Sequence, residues 1–121
     1  MGRSEFVVPE LVDPVSGRLD AMRVASYLKL SVEDIASMVL QPVGVIRAAP
    51  SAQALQERLE GVAFVVGGLL QLLRGQREVA LAGLRAPHWA LDDDTPLALL
   101  CGNELEVVVG LVDDILSGAP A

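Results

Sequence analysis

Apolar positions along this chain recur at helical rather than strand spacing. Leu19, Met22, Val24, Ala25 and Leu28 make an approximately helical stripe, which predicts a first helix over residues 18–28. Ser31 then stands where a helix N-cap belongs. Asp34 follows three residues on, in a capping-box position, and Ile35, Ala36, Met38 and Val39 supply one buried face. Leu40-Gln41 reads as a tight turn, and Pro42 suits the first turn of a short third helix ending at Arg47. Upstream, Val7 to Gly17 contains Pro9, Pro14 and the run Asp13-Pro14-Val15-Ser16-Gly17, so it should be extended or turn-like.

A fourth helix is expected from a cap at Ser51 to about Leu73. Its first half is amphipathic, with Gln56, Glu57, Arg58 and Glu60 polar between Leu55, Leu59, Val62 and Ala63. From Val62 to Leu73 it is apolar almost all round, and such a helix must be buried on every side. Its surroundings are either the chain's own core or a second copy in a homodimer; Phe64, Gly67, Gly68 and Leu72 are the residues at issue. Each glycine of Gly67-Gly68 costs a helix about 1 kcal/mol relative to alanine, which points to close approach by a neighbouring helix. Gly75 stops the helix, and a short one follows over residues 77–84. Beyond the loop 85–94, Thr95-Pro96 opens a helix through Leu100, as cap and first-turn proline. Asn103 and Glu106 form a second box-like pair before a last helix from Glu104 to about Ser117. The expected fold is all-α, with an extended segment over 1–17, a helix-turn-helix-like region over 18–60, and the central helix with a C-terminal helical unit over 61–121.

Composition sharpens that picture. Hydrophobic residues make up 52% of the 121, but aromatics only 3%, so the core must be built from Ala, Val, Leu and Ile. The most apolar segment, Gly61 to Leu73, falls short of the ~20 residues that cross a bilayer, so no membrane role is expected. Net charge is −7 and uneven. Residues 1–60 carry six basic and eight acidic side chains, residues 61–121 three and eight. DNA phosphates would be repelled by the second half, which suits a basic partner instead. The single cysteine, Cys101, and the lack of a signal-peptide pattern fit a cytoplasmic protein.

Catalytic chemistry finds no foothold. His88 is the only histidine and Cys101 the only thiol, too few for a metal site and too isolated for a nucleophile with its base. Three consecutive carboxylates, Asp92, Asp93 and Asp94, lack the alternation of a calcium loop. They read as a solvated loop or as a partner-facing acidic patch. Glu104, Glu106, Asp113 and Asp114 read as a solvated helix face, and Gly67-Gly68 lies inside an apolar helix rather than in a phosphate loop. No cofactor is expected.

Helix, tight turn and helix within about twenty residues is the outline of a helix-turn-helix. The segment that would read bases, residues 42–49, offers only Arg47, with Gln41 just before it and Arg23 and Lys29 as phosphate contacts. DNA binding is therefore expected mainly within a complex.

The run from Leu81 to Leu100 is similar to the toxin-binding domain of the Xre/MbcA/ParS antitoxins. It contains a Leu-x-x-Pro-x-x-x-Leu loop, then Thr-Pro-Leu-x-Leu-Leu, and a final helix ends in Gly118. Val12 to Asp20 and Ile46 to Leu59 also resemble this group, so the likeness spans roughly residues 9–118. The chain departs from the pattern at Gly83, where the family usually has Trp, and at Asp93 or Asp94, where it has Gly before Thr-Pro. The resemblance implies a homodimeric antitoxin whose C-terminal region covers the NAD-binding cleft of a RES-domain toxin. It puts Arg85, Pro87, His88, Trp89, Asp92, Asp93, Asp94, Thr95, Pro96 and Leu99 on the docking surface. A free-standing transcriptional regulator and a non-enzymatic adaptor are the competing expectations.

Overall fold

A computed structural model describes residues 8–102 and 104–118, and among them the chain is all-α. Its helices are α1 (Ala21–Leu28), α2 (Val32–Val39), α3 (Val43–Ala48), α4 (Gln56–Leu72), α5 (Arg77–Leu84), α6 (Pro96–Cys101) and α7 (Leu105–Leu116). No described helix is long and apolar enough to cross a membrane.

Local signals place some boundaries and misplace others. Ser31 and Asp34 form a reciprocal capping box at α2, and Thr95 Oγ1 accepts from Ala98 N–H at 3.0 Å ahead of α6. The first helix starts three residues later than its stripe suggests. Asp20 is the better cap, its Oδ1 accepting from Met22 and Arg23 N–H, while Leu19 sits in an antiparallel bridge with Val12. Pro42 precedes α3 as its N-cap, without a side-chain cap bond. Ser51 caps nothing: a 3₁₀ turn, Gln53–Leu55, intervenes, and α4 begins at Gln56. Glu104 flanks α7 rather than joining it, and Asn103 lies outside the described residues.

Gln56, one of the polar residues in the amphipathic first half of the fourth helix, is buried. Its side-chain oxygen accepts from Leu19 N–H at 3.0 Å, and its Nε2 donates to the Leu19, Ser51 and Ala52 carbonyls at 2.9, 3.3 and 3.2 Å. One amide thus stitches the N-terminal turn to the start of α4, a fully satisfied buried polar group of the kind interiors tolerate.

Residues 61–68 of α4 are buried on every side by the chain itself. Its main partner is α7. A β-carbon added at Gly61 would lie 2.7 Å from Leu105 Cδ2, and one at Gly68 would lie 2.6 Å from Val112 Cγ1. The close approach expected at Gly68 is therefore made within one chain. Phe64 and Gly67 are buried with it, whereas Leu72, at the helix end, is 40% exposed. One apolar cluster runs from Val8 to Val112 and crosses the expected boundary at residue 60, which falls inside α4.

Arginines fasten the remaining helix ends. Arg58 Nε donates to the Met38 carbonyl at 3.0 Å, Arg77 Nη2 to Tyr27 at 2.8 Å, and Arg85 Nη2 to Leu28 at 3.0 Å. The last carbonyls of a helix lack intrahelical partners and carry its negative dipole end, so cationic donors are well matched to them.

Candidate functional site

Between α5 and α6 the chain builds a small closed loop around His88. The His88 N–H donates to the Asp94 carbonyl at 3.1 Å, and the His88 carbonyl accepts from Leu91 and Asp93 N–H at 3.0 Å each. The His88 ring closes the turn as well, its Nδ1 accepting from Ala90 N–H at 3.1 Å. Asp92 and Asp93 adopt left-handed backbone conformations, at φ 56° and 66°. Such residues cost about 1–2 kcal/mol each outside glycine, and aspartate is among the few that tolerate them. Here the surrounding backbone bonds hold them in place.

This loop sorts its side chains sharply. Leu91 is buried and anchors the loop to the core. Trp89, the only tryptophan, is 67% exposed and stacks on His88 with centroids 5.9 Å apart and 23° between planes. Pro87, Asp92, Asp93 and Asp94 are exposed, and His88 is half-buried. The result is an aromatic platform beside three carboxylates.

Other residues expected on this surface have structural positions. Pro96 and Leu99 are buried, so neither can meet a partner without rearrangement. On the helical wheel of α6, the residues after a first-turn proline face the core at every third or fourth position, and Leu99 falls there. Thr95 is occupied as the cap of α6, and Arg85 reaches back to α1. Of the ten residues expected there, Arg85, Pro87, Trp89, Asp92, Asp93 and Asp94 are exposed, His88 and Thr95 are half-buried, and Pro96 and Leu99 are buried.

Charge is distributed unevenly along the chain. All nine Lys and Arg precede residue 86, where nine carboxylates accompany them. The other seven carboxylates, equal to the whole net charge, lie beyond it with no cation among them. Such a surface attracts basic partners and repels phosphate backbones.

Elsewhere, potential chemistry is tied up. A cleft of about 220 Å³ lies among Glu10, Arg23, Ser26, Tyr27 and Arg77, and one of about 340 Å³ among Lys29, Glu78, Leu81, Ala82 and Arg85. Both flank the junction of α1 and α5, and their Arg77 and Arg85 are engaged by α1 carbonyls. Arg77 also lies 4.5 Å over the Tyr27 ring. Burial pushes the Tyr27 hydroxyl up in pKa, with the Glu10 charge adding to it. Burial likewise raises the Cys101 thiol, with Asp34 adding to it, and a raised thiol is a weaker nucleophile at neutral pH. Among the described residues no group of three or more His, Cys, Asp or Glu could hold a metal ion.

On the helix-turn-helix-like side, Arg47 is exposed on α3 and Gln41 is half-buried. The other exposed α3 residues, Gly44, Val45 and Ala48, bring no hydrogen-bonding side chain toward a base edge.

Sequence reasoning missed Leu91 as the loop's anchor and Gln56 as a buried clamp. Leu91 carried a signal, because it closes the Leu-x-x-Pro-x-x-x-Leu spacing. Gln56 carried none, since its partner is 37 residues away. The chain matches no family model, no curated protein and no solved structure.

Proposed function

We propose that this chain is a non-enzymatic binding protein of the antitoxin type. It docks onto a RES-domain toxin, covers that toxin's NAD site and co-represses the operon they share. The observation that carries this reading is Trp89, a largely exposed aromatic side chain on a loop locked by its own backbone bonds. Large aromatic residues in rigid settings are the usual energetic anchors of protein interfaces. The carboxylates around it steer a cationic partner toward the platform and fix its register. The toxin-binding-domain resemblance of residues 81–100 supplies the partner class. No bond is made or broken: inhibition is steric and electrostatic.

The test is co-expression with the product of the adjacent open reading frame, followed by pull-down and a measurement of cellular NAD. The expected outcome is co-purification, with NAD falling only when this protein is absent. Trp89→Ala should release the partner and restore NAD loss while the chain keeps its helicity. Unchanged NAD with no co-purifying neighbour overturns the reading.

A further inference from the structure

Helix α7 has a second apolar face besides the one it packs on α4. Leu105, Val108, Val109 and Val112 are buried inward. Val107, Leu111 and Ile115, spaced by four, share a different side of the helix. Val107 is 49% exposed, and Leu111 and Ile115 are half-buried. On the same side stand Glu104, three residues before Val107, and Asp114, three after Leu111, both exposed. At ~1.5 Å rise per residue, the backbone positions of Glu104, the N-cap of α7, and Asp114 lie about 15 Å apart along the helix. An apolar strip, exposed at Val107 and half-covered at Leu111 and Ile115, with Leu111 also touching the core, thus lies between two negative charges.

We propose that this strip is a docking face for a basic amphipathic helix of a partner protein, whose apolar residues cover Val107, Leu111 and Ile115 while cations at either end meet Glu104 and Asp114. Charge decides the occupant. The segment beyond residue 85 carries seven carboxylates and no cation, so two copies meeting face to face would set like charges against each other. Leaving apolar strip residues half-exposed between carboxylates suits a partner that brings both apolar area and positive charge. The inference rests on the chain being a partner-binding protein, but it uses a surface that excludes the Trp89 loop.

The probe is a synthetic alanine-based helical peptide with leucines four residues apart, bracketed by lysines ten residues apart. Its control has glutamates in place of the lysines. Binding to the full chain is followed by fluorescence anisotropy of the labelled peptide. The lysine peptide should bind and the glutamate peptide should not. Val107→Lys and Asp114→Lys should each weaken binding by about tenfold. Val79→Lys, the same substitution as at Val107 but placed at a 46% exposed valine on α5, should leave it unchanged. Failure of the lysine peptide to bind overturns the proposal, as does equal weakening by Val79→Lys, which would mean diffuse attraction to an acidic protein. Self-association of the free chain that Val107→Lys abolishes would also overturn it, by giving the strip to a second copy. Any of these results leaves the Trp89 docking reading to its own pull-down, so the two fail separately.

Discussion

The α4–α7 seam and the α1–α5 seam hold one small molecule together by opposite means. The first is dry: Gly61 and Gly68 let Leu105, Val112 and Leu116 press against the α4 backbone. The second is polar: Arg77 and Arg85 reach from the ends of α5 to the last carbonyls of α1, and two clefts flank the contact. A dry seam depends on shape, so any change of volume is felt in full. A polar seam depends on a few directed bonds whose gain is set against the hydration they replace. Energy should therefore be concentrated in the first and spread thinly in the second.

Substitutions can break or sharpen that contrast. Leu105→Ala removes the side chain that fills the space over Gly61 and should cost about 2–5 kcal/mol in urea unfolding. A loss below 1 kcal/mol would show that the seam is not tightly packed.

Two glycines on the paired helices give a sharper comparison. At Gly68 a methyl group would meet Val112 and Leu116, so Gly68→Ala should destabilise by about 1–3 kcal/mol despite its better helix propensity. At Gly110, on the exposed side of α7, nothing lies within 4 Å of an added β-carbon. Gly110→Ala should stabilise by about 0.5–1 kcal/mol. Effects of the same sign would contradict the assigned faces of α7.

On the polar seam, Arg77→Met loses one charged hydrogen bond and the stacking on Tyr27, and should cost about 1 kcal/mol. The loss stays modest because Arg77 Nε is buried with no partner among the described residues, and methionine removes that burden too. The smallest effect belongs to Glu78→Gln. Its ion pair with Lys29 spans 3.6 Å, but both side chains are more than half exposed. A change within about 0.5 kcal/mol is expected, and chemical denaturation of the variant beside wild type will read it.

The two seams also differ in how visible they were in the sequence. Gly67-Gly68 inside an apolar run announced a close helix contact, though not which helix would make it, and Gly68 makes it with α7. The capping box at Ser31 and the Thr95-Pro96 start were legible because donor and acceptor sit three residues apart. Arg77 and Arg85 gave no such notice, because their partners lie 50 and 57 residues away. Starts at Arg18 and Ser51 failed where a stronger competitor stood nearby, Asp20 in one case and a 3₁₀ turn in the other. In the candidate site the acidic run Asp92–Asp94 was readable as such. Spacing alone did not separate the inward Leu99 from the outward Trp89, since both belong to one continuous motif and only packing distinguishes them.

The most direct test of the docking account uses the single tryptophan. The chain is labelled with fluorotryptophan, so that its one fluorine resonance reports Trp89 alone, and is titrated with the purified product of the adjacent open reading frame. Complex formation is followed in parallel by size-exclusion chromatography. The account predicts that the resonance shifts and loses its solvent exposure as the complex forms. A complex that forms while the resonance keeps its free position and exposure would place the interface elsewhere and contradict it.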